Sequence, residues 1–251
     1  MFNAVKVKND CVQWIREWFE QNGKDCNAVI GISGGKDSSV VAALCVEALG
    51  KDRVVGILMP NGEQNDINDS IHLVEHLNIP YTTVNIHDAY YDIISNIDLP
   101  MISNQTKINL PPRLRMATLY AVSQSLNGRV VGTDNASEAY IGYSTRWGDN
   151  VADLMPILNF TSDEVVAIGD ACGLPYELTH KTPSDGLCGK TDEDNFGFTY
   201  AALNKYIRTG VCEDGSVRTK IDKLHRKNLF KLQPIPSFPY GNEPFIDEVL
   251  C

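Results

Sequence analysis

Residues Gly31-Ile32-Ser33-Gly34-Gly35-Lys36-Asp37-Ser38-Ser39 lie between two apolar runs, Ala28-Val29-Ile30 and Val40-Val41-Ala42-Ala43-Leu44. That order reads as a strand, a tight glycine turn and a helix start. It constrains the fold more than any other stretch, because a βα unit of this kind belongs to a sheet covered by helices. The turn aims backbone N–H groups and the positive end of a helix at one point, where phosphate is the natural guest. It is not a Walker A loop, since Gly35-Lys36 is followed by Asp37 where that motif needs Ser or Thr. The glycine spacing of the dinucleotide fingerprint is also missing. A carboxylate beside a polyphosphate is repelled unless a cation lies between them, so Asp37 points to Mg²⁺.

Periodicity extends the pattern along the chain. Helical spacing runs through residues 4–21, followed by a buried strand at Asn27–Ile32, a helix at Asp37–Leu49 and a strand at Val54–Met59. An amphipathic helix at Asp66–Leu77 and a strand at Tyr81–Ile86 come next. Asn109-Leu110-Pro111-Pro112 reads as the opening of a long helix at Arg113–Leu126, with the prolines at its start. A fourth strand is expected at Val130–Gly132. This alternation predicts a doubly wound α/β fold: a mainly parallel sheet, helices on both faces, in one domain over 1–251. Right-handed crossovers bring the loops after residues 32, 59 and 132 to one crevice. Thr133 and Glu138, which follow the fourth strand in Gly132-Thr133-Asp134-Asn135-Ala136-Ser137-Glu138, are placed there to offer a hydroxyl and a second metal carboxylate. Beyond that point helices are expected at Ser162–Ala171, Phe196–Ile207 and 217–229, with a polar loop of no regular period at 179–195.

The net charge of −10 disfavours a nucleic-acid footprint. No run of about 18 apolar residues is present, so no membrane helix is expected. The N-terminal residues lack the layout of a signal peptide, and a cytoplasmic protein is expected. The seven cysteines are scattered, with no Cys-x-x-Cys, which suits a reducing compartment better than a metal or disulfide framework. Cys188 has no neighbours that would make it a catalytic thiol.

The Ser-Gly-Gly-Lys-Asp-Ser loop resembles the SGGxDS loop of the N-type ATP pyrophosphatases. Further segments resemble, in order, the ammonia-dependent NAD⁺ synthetases. They are Pro112-Arg113-Leu114-Arg115-Met116, Gly132-Thr133-Asp134 with Glu138, Thr145-Arg146-Trp147-Gly148-Asp149 with Asp153, Lys181 through Leu187 with Lys190-Thr191-Asp192-Glu193, and His225-Arg226-Lys227. The resemblance implies ATP-dependent amidation of deamido-NAD⁺ by ammonia through an acyl-adenylate, releasing AMP and diphosphate. By matching position, Gly31, Ile32, Ser33, Gly34, Gly35, Lys36, Asp37, Ser38, Thr133, Ser162 and Ser184 would contact ATP. Asp37 and Glu138 would hold Mg²⁺. Arg113, Arg146, Asp153, His225 and Arg226 would bind deamido-NAD⁺, and Asp149 would orient or deprotonate the ammonia. The resemblance also implies a homodimer with the acceptor site at its interface.

Three departures stand out. The family often carries a phosphate-contacting lysine where Ser162 stands, and Lys36, Lys181 and Lys190 are the candidate substitutes. Arg146 and Arg226 each replace a usual lysine, which keeps the charge and changes its geometry. The competing classes fit less well. tRNA-thiolating or lysidine-forming enzymes want catalytic cysteines or a basic surface, and amidotransferases want a glutaminase domain for which the chain is too short. A nucleotide-binding module without turnover would not need Asp37 and Glu138.

Overall fold

The computed structural model describes residues 2–64, 67–181, 191–236 and 238. Helix α1 (Ala4–Asn22) leads into β1 (Asn27–Gly31), α2 (Lys36–Leu49), β2 (Val54–Leu58), α3 (Ile67–His76) and β3 (Tyr81–Thr83). Next come α4 (His87–Asn96), α5 (Asn104–Ser125), β4 (Gly128–Val131) and α6 (Ala136–Ile141). The chain continues through α7 (Ser162–Ala171), α8 (Tyr176–Thr179), α9 (Asp192–Phe196), α10 (Tyr200–Thr209) and α11 (Gly215–Asn228).

The four strands are parallel in the order β3-β2-β1-β4. Chain reversal at β1 puts a topological switch point between β1 and β4, where open α/β sheets bind ligands. Side chains alternate across β1 as a strand requires. Ala28 and Ile30 join a core with α1, α2, α3 and α7, built on Ile15, Phe19, Leu44, Leu73 and Ile168. Val29 faces the opposite way, with Ile57, Met59 and Ile86, under Leu114, Leu119 and Val122 of α5. Helices therefore cover both faces, as the alternation predicts. A separate cluster of Ile141, Phe196, Tyr200, Leu203 and Ile221 ties α6 to α10 and α11, and carries the C-terminal wall of the crevice.

The prolines do not open a helix. Pro111 and Pro112 lie inside α5, which starts at Asn104 after Ser103 caps it by accepting from Thr106 N. Each proline removes a donor at a cost of about 3 kcal/mol. Pro111 is buried, and Pro112 packs so closely on Gly148 that a Cβ there would meet Pro112 Cβ at 2.9 Å. This contact docks α5 on the 145–149 loop. Helices α4, α6 and α8 have no counterpart among the expected elements. Helix α9 occupies residues expected to belong to the irregular loop at 179–195, and the helix expected at Phe196–Ile207 starts only at Tyr200, because Gly197 adopts φ 73° and ends α9.

Candidate active site

The glycine loop joins β1 to α2 as expected. Gly34 turns it with φ +76°, and a Cβ there would lie 2.8 Å from Asp69 Cβ and 2.9 Å from Ser70 N of α3. Both conformation and space exclude a side chain. Gly34→Ala is therefore expected to cost about 2–4 kcal/mol of stability and at least about tenfold in apparent ATP affinity, measured by urea unfolding and the ATP KM. The loop is held by its own hydroxyls. Gly35 N donates to Ser33 Oγ at 3.3 Å, while Ser38 and Ser39 donate to Gly35 O at 3.2 and 2.8 Å.

Asn135 joins the two sides of the switch point. Its Oδ1 caps α6 by accepting from Ser137 N at 2.9 Å and Glu138 N at 3.1 Å, and its Nδ2 donates to Asp37 Oδ1 at 3.0 Å. The other oxygen of Asp37 accepts from Lys36 Nζ at 2.7 Å. Asp37 is thus fixed at the mouth of the loop. Glu138, in the first turn of α6, keeps some accessible surface on the crevice floor but is crowded by protein atoms. Burial and then the charge of Asp37 hold its carboxyl well above the usual range, with Lys36 opposing. Lys36 is buried, at 6% exposure. Burial works to strip its proton, but Asp37 and Glu138 outweigh it and the ammonium persists.

Further carboxylates line the crevice. Asp134 is 5% exposed, and among the described residues its Oδ2 has no hydrogen-bond partner. Burial, then Asp149 and Asp37, push its carboxyl up to about 7. Asp149 opens onto the crevice, and its Oδ2 accepts from Thr145 N at 2.9 Å. Surrounding protein raises its carboxyl, while the Thr145 N–H and then the Arg115 charge work against the rise. Arg115 is anchored by Nε donating to Met59 O at 3.0 Å, at the end of β2. Tyr200 donates to Asp192 Oδ2 at 3.1 Å, and its ring centroid lies 5.9 Å from Lys36 Nζ.

The expected ATP and metal residues on the glycine loop, Thr133 and Glu138 gather at this crevice, at the C-terminal ends of β1 and β4. Two hard carboxylates close enough to act on each other's charge, beside a phosphate loop, are the oxygen donors that a divalent magnesium ion takes. Ser162 is different: it sits in a buried network, with its Oγ accepting from Asn204 Nδ2 at 3.1 Å and its N donating to Ser137 Oγ at 2.9 Å. Ser184 and Lys190 lie outside the described residues. Lys181 reaches the rim of the loop, where Nζ donates at 2.6 Å to Oδ2 of Asp69, the residue packed on Gly34.

Of the residues expected to bind the acceptor, Arg113 and Arg146 come together. Arg113 Nε donates to Arg146 O at 3.3 Å. The Arg146 guanidinium lies between the Trp147 and Phe230 rings, 4.9 and 5.2 Å from their centroids, and its buried Nε has no acceptor among the described residues. Asp153 already accepts from Val130 N at 2.7 Å and Tyr120 OH at 3.4 Å. His225 stacks on Tyr140 at 4.2 Å and donates from Nδ1 to Tyr140 O at 2.7 Å. Arg226 is exposed, with Asp222 3.9 Å away. Asn135, Asp134, Arg115, Tyr200 and Phe230 carry the site's geometry without having been assigned roles from the sequence. Asn135 and Asp37 are 98 residues apart, so only folding joins them. The visible signals were the Arg-x-Arg pair of 113 and 115 and the position of Asp134 and Asn135 in the Gly132–Glu138 stretch.

A family model described as NAD synthase matches residues 7–235. The chain is 38% identical over 206 residues to an NH(3)-dependent NAD(+) synthetase of Pyrococcus furiosus, covering 82% of this chain and 78% of that protein. Its fold is similar to that of an NMN synthetase from Francisella tularensis, with TM-score 0.88 and 32% identity over 96% of this chain and all (100%) of the other. It is also similar to an NH3-dependent NAD synthetase from Campylobacter jejuni subsp. jejuni, with TM-score 0.79 and 28% identity over 96% and 100% of the two chains.

Proposed function

The chain belongs to the NAD synthase family, and from that membership we propose the reaction and the roles of its residues. The protein is a ligase that amidates deamido-NAD⁺ with ammonia at the expense of ATP. The acceptor carboxylate attacks the α-phosphorus, diphosphate leaves, ammonia attacks the resulting acyl-adenylate, and AMP departs with NAD⁺ as the product. Activation is needed because oxide is a poor leaving group from a carboxylate, whereas AMP is a good one.

The observation that carries this reading is Asp37, fixed on both oxygens at the mouth of a phosphate loop and close enough to Glu138 for its charge to act on that carboxyl. The N–H groups from Gly31 to Ser38 and the N-terminus of α2 cradle the phosphates. Asp37 and Glu138 hold Mg²⁺, which when bound neutralises charge on the diphosphate. Thr133 and Ser184 contact ATP, whereas Ser162 is engaged in the buried network with Ser137 and Asn204. Arg113, Arg146, Asp153, His225 and Arg226 form the acceptor site. Lys181 is the cation best sited on the loop rim to take the part of the missing lysine.

Asp149 receives the proton that ammonium must lose, and its raised carboxyl suits that task. Asp149→Asn is expected to lower kcat/KM for ammonium by about a hundredfold while ATP–diphosphate exchange with the acceptor continues. Loss of exchange in step with amidation would remove Asp149 from the ammonia step.

A second copy of the chain completes the acceptor site in this reading. Helix α5 buries only Pro111 and Ser123, and Ile93, Leu99, Met101 and Ile108 beside or on it are at least 41% exposed. Sedimentation at micromolar concentration tests for the dimer. Among the described residues no helix is long and apolar enough to cross a membrane.

The similarity to the Francisella NMN synthetase favours one second reading, in which the acceptor is the nicotinate mononucleotide. Incubation with ATP, Mg²⁺, ammonium and each acceptor in turn decides. Equal yields of NAD⁺, AMP and diphosphate, with a higher kcat/KM for deamido-NAD⁺, support the first reading. A reversed preference supports the second.

A further inference from the structure

We propose that the Lys36 ammonium stands in for the divalent cation: in the metal-free protein it offsets part of the negative charge of Asp37 and Glu138, and the metal enters by exchanging with it. The proposal rests on the reading of Asp37 and Glu138 as the metal's ligands. Lysines this buried are rare unless paired, and Lys36 is 6% exposed. Its Nζ lies 2.7 Å from Asp37 Oδ2, while Asn135 holds the other oxygen. Ammonium and metal therefore claim the same carboxylate lone pairs. Glu138 and Asp192 also act on the Lys36 charge, and the Tyr200 ring lies 5.9 Å from it.

The arrangement has a consequence for order. Two neighbouring carboxylates without a cation repel, so the lysine keeps the empty site intact, but it opposes a metal arriving alone. Asp37, Glu138 and Lys36 together carry −1, and a divalent ion makes the cluster +1, which suits a polyphosphate. The metal is then held well only when ATP comes with it. The displaced ammonium can stay within the cluster, against the Tyr200 ring and Asp192.

The test is binding of Mg²⁺ alone, without nucleotide, by calorimetry on the wild type, Lys36→Gln and Lys36→Met. Both variants are expected to bind Mg²⁺ at least about tenfold more tightly than the wild type. Their Tm is expected to fall in EDTA and to recover with Mg²⁺ by more than the wild type's. Equal or weaker Mg²⁺ binding in both variants would overturn the exchange. So would variants that stay unfolded at saturating Mg²⁺, since the ion would then not be replacing the ammonium. Adding Glu138→Gln to Lys36→Gln separates the two claims. Loss of the tight binding supports the exchange at this site, whereas Mg²⁺ binding indifferent to Glu138 overturns both the ligand assignment and the exchange built on it.

Discussion

Glu138→Gln is expected to lower kcat/KM by about a thousandfold or more, yet to leave a folded protein more stable than the wild type at pH values above the ordinary carboxyl range. The two effects have one cause. Glu138 is held in the crevice near Asp37 with its carboxyl raised by burial and by that neighbour. A group whose folded pKa exceeds its unfolded value costs stability once pH passes the unfolded value, and the cost is complete above the folded one. An amide removes that cost together with the charge on which the phosphate chemistry depends. Asp37→Asn is expected to lose as much activity and to lose stability as well, because it leaves the buried Lys36 ammonium without its 2.7 Å partner. Steady-state kinetics and chemical denaturation at pH 8 check both variants. Activity of Glu138→Gln within tenfold of wild type would remove Glu138 from the reaction.

The second large effect is at Asp134. Its carboxyl titrates at about 7 in the folded protein, against 3.8 for the ordinary side chain. The native state therefore holds a proton that the unfolded chain releases, and stability falls as pH rises from about 4 to about 7. The difference amounts to about 4 kcal/mol as an upper limit, at 1.36 kcal/mol for each unit. Asp134→Asn is expected to match the wild type near pH 4 and to exceed it by about 2–4 kcal/mol at pH 8. Mg²⁺ should narrow that gap by supplying positive charge nearby. Denaturation curves at pH 4, 6 and 8 measure it. A gap that did not change with pH would mean that Asp134 is not strained by charge.

The part of the fold that could be read from sequence is the part encoded locally. The loop from Gly31 to Ser39 carries its own strand, turn and helix signals, and β1 and α2 fall within one residue of the expected bounds. Helix α7 matches at both ends, since Thr161 and Glu164 form a capping box that is visible in the sequence. Helix α5 was misread because a proline pair is an ordinary helix start, and only burial of Pro111 and packing of Pro112 on Gly148 keep it inside. Helices as short as α6 and α9 are too brief for periodicity to reveal.

The site was legible to the same extent. Asp37 and Glu138 are adjacent to recognisable turns. Their fixing is not legible, because Asn135 reaches Asp37 across the switch point and Tyr200 reaches the cluster from α10. Ser162 shows the converse: its position in the sequence suggests a ligand contact, and its surroundings are a buried network with Ser137 and Asn204.

The most direct test of the central claim follows one oxygen atom. The acceptor is prepared with ¹⁸O in its carboxylate and turned over with ATP, Mg²⁺ and ammonium, and the products are weighed by mass spectrometry. Attack at the α-phosphorus predicts one ¹⁸O in AMP for each amide formed and none in the diphosphate. Label in inorganic phosphate with ADP as the co-product, or AMP free of label, would contradict adenylation at this site.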